Sequence, residues 1–141
     1  MATPKSRSYR LQLSEEGTDK FLECHYRLAR IARRFIPYGA TLTVAMLLIE
    51  ALDGQELSDE LSGPAVNRLS GRIEHFVGGA PNLAQAAATM LDQVEIAPDG
   101  GHAVTAVRLF TAAIALMSAC EDSEIARAYR RIGNGFQTQD M

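Results

Sequence analysis

The chain has 141 residues, 47% of them hydrophobic and 22% charged, which excludes global disorder and is the size of one ordinary domain rather than two. Its formal charge of −3 is unevenly spread: residues 1–34 hold eight Lys and Arg against four acids, and residues 35–141 hold six against thirteen. The leading part suits a polyanion and most of the remainder repels one.

In chain order, residues 1–15 read as a basic flexible arm carrying Lys5, Arg7 and Arg10, residues 16–132 as one helical domain, and residues 133–141 as a frayed tail. No apolar run follows the basic start as a secretory signal requires, so a cytoplasmic location is expected. From Ser14 to Phe35 the residues Phe21, Cys24, Leu28, Ile31 and Phe35 recur every three or four positions, which predicts one buried helix face. Ser14 or Thr18 is placed to cap its start, and Pro37 with Gly39 to end it. Arg27, Arg30 and Arg34 fall on a neighbouring strip.

Thr41 to Leu52 is apolar on nearly every side and predicts a central helix closed by Asp53-Gly54. The longest uncharged window, Ile36 to Ile49, is too short to span a bilayer and contains Pro37, Gly39 and two threonines, so no membrane partner is expected. A short helix from Leu57 to Leu61, a Ser62-Gly63 turn and a helix from Pro64 to about Val77 follow, the last burying Leu69, Ile73, Phe76 and Val77. Gly78, Gly79 and Pro81 break it. Alanine-rich Leu83 to Val94 and the segment after His102, through Val107, Phe110, Ile114 and Met117, also show helical spacing, and Ile125, Ala128, Tyr129 and Ile132 continue it. Asp92 to Leu109 reads either as helix, loop, helix or as a β-hairpin turning at Asp99-Gly100-Gly101. The fold class is therefore mainly α, a compact multi-helix domain, with room for a small β-hairpin wing at about 94–109.

Catalytic and metal patterns are missing from the sequence. Cys24 and His25 are adjacent and diverge on a helix, His75 and His102 are isolated, and neither a phosphate-binding glycine loop nor a nucleophile elbow occurs. Cys24 and Cys120 read as free buried thiols. A non-enzyme without cofactor or metal is expected.

One arrangement points to a function. A helix-turn-helix lays the polar start of its second helix into the major groove of DNA, and here that helix offers Asn67, Arg68, Ser70 and Arg72. A basic first helix (Tyr26-Arg27-Leu28-Ala29-Arg30), a buried second helix and this pair resemble the MarR-type winged-helix repressors over about residues 20 to 78. The resemblance implies a homodimer joined by terminal helices, a β-hairpin wing, and double-stranded DNA as partner. Asn67, Arg68, Ser70 and Arg72, with Arg27, Arg30 and Arg34, are then the expected DNA contacts. The competing expectation is a non-enzymatic α-helical module that binds another protein through an apolar or basic helix face, as adaptors, anti-activators and inhibitors do.

Overall fold

The computed structural model describes residues 7–96 and 105–139. Among them are seven helices and two strands: β1 (Arg7–Leu13), α1 (Glu15–Ala32), α2 (Tyr38–Glu50), α3 (Gly54–Leu61), α4 (Pro64–Leu69), β2 (Ile73–Gly79), α5 (Asn82–Ile96), α6 (Ala106–Ala119) and α7 (Asp122–Gln139). The mainly helical class expected from the apolar spacing holds, with one small antiparallel sheet.

That sheet lies elsewhere than the sequence suggests. β1 pairs with β2 in a register running from Arg7 opposite Gly79 to Leu13 opposite Ile73. Tyr9, Leu11 and Leu13 alternate inward with period two and are buried, while Ser8 and Arg10 face out. Residues 7–13 of the expected arm are thus a strand; Lys5 lies outside the described residues. Tyr9 Oη donates to Ala80 O at 2.5 Å, fixing the far end of β1 to the loop after β2.

The expected helix from Pro64 to Val77 is divided. α4 stops at Leu69, Ser70 turns extended (ψ 144°), and Ile73, His75 and Val77 continue as the sheet-paired partners of Leu13, Leu11 and Tyr9. Hydrogen bonding to β1 outweighs the three-four spacing of Leu69, Ile73 and Phe76. Phe76 then faces solvent instead of the core. Gly71 permits the chain to pass close against the end of β1, because a Cβ there would lie 2.5 Å from Ser14 Cα.

The hairpin considered at 94–109 is not formed by its described residues: Val94 is a buried residue of α5, and Val107 and Leu109 lie in α6. Its proposed turn at Asp99-Gly100-Gly101 lies outside the described residues. α7 runs to Gln139, into the segment expected as a frayed tail.

α1 begins as expected, with Ser14 Oγ accepting from Gly17 N at 3.0 Å, and buries Phe21, Cys24 and Leu28. It ends earlier than expected, at Ala32, so Phe35 leaves the predicted seam and is fully exposed. Asp53 does not simply close α2; it caps α3 in a reciprocal capping box with Glu56. α6 forms the centre. Leu109 through Ala115 are buried without interruption, and its alanines admit the close approach of α2, whose Leu42, Val44, Ala45, Met46 and Ile49 are also buried. No helix is long and apolar enough to cross a membrane among the described residues.

Candidate functional site

Three of the four expected recognition residues, Asn67, Arg68 and Ser70, make hydrogen bonds within the fold. Asn67 Oδ1 accepts from Arg108 Nη2 at 2.8 Å, and Arg108 Nε donates to Leu61 O at 2.9 Å, so both tie the α3–α4 turn to α6. Arg68 Nε meets Glu16 Oε2 at 2.6 Å, and Ser70 Oγ donates to Val66 O at 2.7 Å. Arg72 is exposed on the approach to β2. Of the four, only Asn67 and Arg68 lie on α4, which has six residues and ends at Leu69 before Ser70 and Arg72.

The strip of arginines on α1 is divided between two jobs. Arg27 is inward and bonded at every nitrogen: Nε and Nη2 donate to Asp122 Oδ1 at 3.0 and 2.8 Å, Nη2 to Cys120 O at 2.7 Å, and Nη1 to Ser118 O at 3.4 Å. It caps the carbonyl end of α6, where positive charge is favoured. Arg30 and Arg34 point outward. Arg30 Cζ stands 5.7 Å from the Tyr26 ring centroid, and Arg34 Cζ stands 5.9 Å from that of Tyr129 on α7, both within cation–π range.

Between them lies Arg33, the only non-glycine residue with positive φ among the described residues, at φ 61° and ψ 38°. Its N–H closes α1 by donating to Ala29 O at 2.8 Å. Tyr26, Arg27, Arg30, Ile31, Arg33 and Asp122 wall a surface depression of about 250 Å³. Tyr26 is 62% exposed, Phe35, past the end of α1, is entirely so, and α7 carries exposed Arg127, Arg130 and Arg131. The ion pairs among the described residues are Arg10–Glu74, Lys20–Glu23, Arg27–Asp122 and Arg68–Glu16, so Arg30, Arg33, Arg34 and the three α7 arginines enter none.

Arg33, Tyr26, Phe35, Tyr129 and the α7 arginines were not singled out as a site by the sequence reading. The available signal was the acid-free run from Tyr26 to Phe35 together with Arg127-Ala128-Tyr129-Arg130-Arg131. Only the packing of α1 against α7 joins them.

The remaining polar chemistry is inward. Burial pushes the Cys24 thiol from an ordinary 9.0 up to about 11, its Sγ lies 3.9 Å from Ile114 O, and burial also raises Cys120, which is half-buried rather than buried. Both thiols are free. His25 Nδ1 shares a 2.8 Å hydrogen bond with Thr41 Oγ1, and burial lowers its pKa. Among the described residues no three His, Cys, Asp or Glu side chains converge as a metal site requires.

Comparison of the chain with protein-family models, with curated proteins and with solved structures finds no match in any of the three.

Proposed function

We propose that this chain is a non-enzymatic α-helical interaction module that engages an acidic protein partner through the arginine–aromatic end of α1 and α7. The observation carrying this reading is the exposure of Tyr26, Phe35, Arg30, Arg33 and Arg34 on one helix end, with no carboxylate paired to those arginines among the described residues. Leaving a Phe side chain in water forgoes about 1.5–3 kcal/mol of burial, which docking recovers. Tyr and Arg are the residue types that dominate binding energy at protein interfaces, and charge complementarity speeds the encounter.

Duplex DNA is the less favoured partner. Asn67 and Arg68 are occupied by Arg108 and Glu16, and Arg27 by Asp122, so two of the five arginines expected at DNA are already engaged within the fold. The acidic surface of α3, with Asp53, Glu56 and Asp59 exposed, opposes a long polyanion.

Anisotropy titrations of the full chain against a labelled acidic peptide and a random-sequence duplex decide between the two. Arg30→Glu combined with Arg34→Glu is expected to weaken the peptide complex by about tenfold or more, the equivalent of about 1.4 kcal/mol. Tighter binding to the duplex than to the peptide, with a steep salt dependence lost in Arg68→Ala with Arg72→Ala, overturns the proposal in favour of a DNA-binding regulator.

A further inference from the structure

We infer that the depression walled by Tyr26, Arg30 and Arg33 is a seat for a phosphate monoester carried by the partner. This rests on the arginine–aromatic end being the binding face and adds the chemical class of its anchor.

Charge complementarity carries the inference. Three arginines and one aspartate wall the depression. Arg27 is neutralised by Asp122, which takes two of its N–H groups on one oxygen, and its other bonds go to backbone carbonyls. Arg30 and Arg33 are left as two guanidinium charges without a carboxylate partner among the described residues. A carboxylate has one charge and is matched by a single guanidinium fork. A phosphate monoester carries about −1.5 to −2 near neutral pH and presents three acceptor oxygens, so it suits two forks. The depression of about 250 Å³ leaves space beside the phosphoryl oxygens for the part of the partner that bears them, and the exposed Tyr26 ring flanks that space.

The backbone supplies a second, independent observation. A helix ending in the left-handed region is ordinarily closed by glycine, or by asparagine, because other side chains crowd the following carbonyl. Here that position is Arg33, at φ 61°. Glycine would relieve the strain there, and the guanidinium that Arg33 carries is one that walls the depression. The strained backbone position and a wall of the depression thus fall on the same residue, and replacing Arg33 separates the two properties.

The test uses the full chain, phenyl phosphate as probe and benzoate as the carboxylate comparator, at constant ionic strength near neutral pH. Arginine Nε–H resonances are followed by NMR. Phenyl phosphate is expected to saturate the Arg30 and Arg33 signals with an affinity at least about tenfold above benzoate. Arg33→Gly is expected to lose that binding while melting at the same temperature or higher, and Arg30→Gln to lose it without refolding α1. Asp122→Asn, which removes the neutralising charge from Arg27, is expected to tighten it. Equal affinity for benzoate, or unchanged binding in Arg33→Gly, overturns the phosphate seat.

Phosphorylated and unphosphorylated forms of one acidic peptide separate this inference from the reading beneath it. Equal binding of the two forms removes the seat and leaves the acidic-partner reading standing. Binding of neither form, with or without the substitutions, removes both. Inorganic phosphate as a further arm separates a free anion from an esterified one: binding as tight as that of phenyl phosphate overturns the monoester assignment.

Discussion

Arg27 on α1 holds Asp122 at the start of α7 through two nitrogens on one carboxylate oxygen, at 3.0 and 2.8 Å, and in the same pose donates to the carbonyl of Cys120 at 2.7 Å. One side chain therefore fixes the angle between α6 and α7 and so positions Tyr129 opposite Arg34. Arg27→Ala is expected to cost about 1–3 kcal/mol, since it leaves partly buried carbonyls without their donor. Arg27→Lys is expected to recover only part, because an ammonium cannot reproduce the fork. Urea denaturation midpoints of the two variants give the measurement, and a shift in Arg27→Ala below about 0.5 kcal/mol would contradict this role.

The Asn67–Arg108 hydrogen bond makes a different demand on the same kind of experiment. Both residues pin the α3–α4 turn against α6, so each alanine substitution is expected to destabilise by about 1 kcal/mol. A double-mutant cycle is expected to return a coupling energy of about 0.5 kcal/mol or more. Arg68→Ala, which removes only an exposed ion pair with Glu16, is expected to change stability by about 0–1 kcal/mol. Additive effects of the Asn67 and Arg108 substitutions would refute the coupling.

β1 is part of the core and not a dispensable arm. Leu11 is 1% exposed, and Leu11→Ala is expected to cost about 2–5 kcal/mol in thermal or chemical unfolding. Gly39→Ala is expected to be comparably damaging, because a Cβ at that site overlaps the Gly78 carbonyl across the α2–β2 contact. Near-native stability of a chain lacking residues 1–13 would be incompatible with this placement.

Cys24 gives the alkaline stability of the protein a defined shape. Its thiol titrates at about 11 in the fold against 9.0 ordinarily, because burial opposes the thiolate. Below 9.0 the thiol is protonated in both states and adds no pH dependence. Between 9.0 and about 11 the unfolded chain ionises first, so stability falls as pH rises. Comparing Cys24→Ala with the parent across that window is expected to remove part of the fall. Identical slopes would show that the thiol is not responsible. Disulfide-exchange reagents are expected to modify Cys24 only as fast as the fold opens.

Phe35 separates binding from folding. Its side chain is fully exposed, so Phe35→Ser is expected to leave the unfolding midpoint within about 0.5 kcal/mol of the parent. The same substitution is expected to weaken the acidic-peptide complex. A destabilised variant, or an unaffected complex, would place Phe35 outside the binding face.

The helices were legible where a local rule was sufficient. Ser14 stands three residues before Gly17 N and caps α1, Pro64 opens α4, and the unbroken apolar run of α2 demands a central position. The strands were not, because β1 is short and its partner lies some sixty positions on, and Ile73, Phe76 and Val77 satisfy a helical period as well as an extended one. The arginine run was legible as charge, but its division was not. Nothing local distinguishes Arg27, turned toward Asp122, from Arg30, left beside Tyr26. That difference arises when α7 packs on α1, and the left-handed turn at Arg33 has no sequence signature because glycine is absent there.

The pairing of β1 with β2 also governs how the polypeptide can be made. During synthesis the first strand leaves the ribosome well before its complement, so Tyr9, Leu11 and Leu13 stay open to solvent while the next four helices are translated. α6, which fills the middle of the molecule, arrives later still. Stable burial consequently awaits the translation of α6, and nascent intermediates present an unpaired apolar edge that favours chaperone capture or self-association.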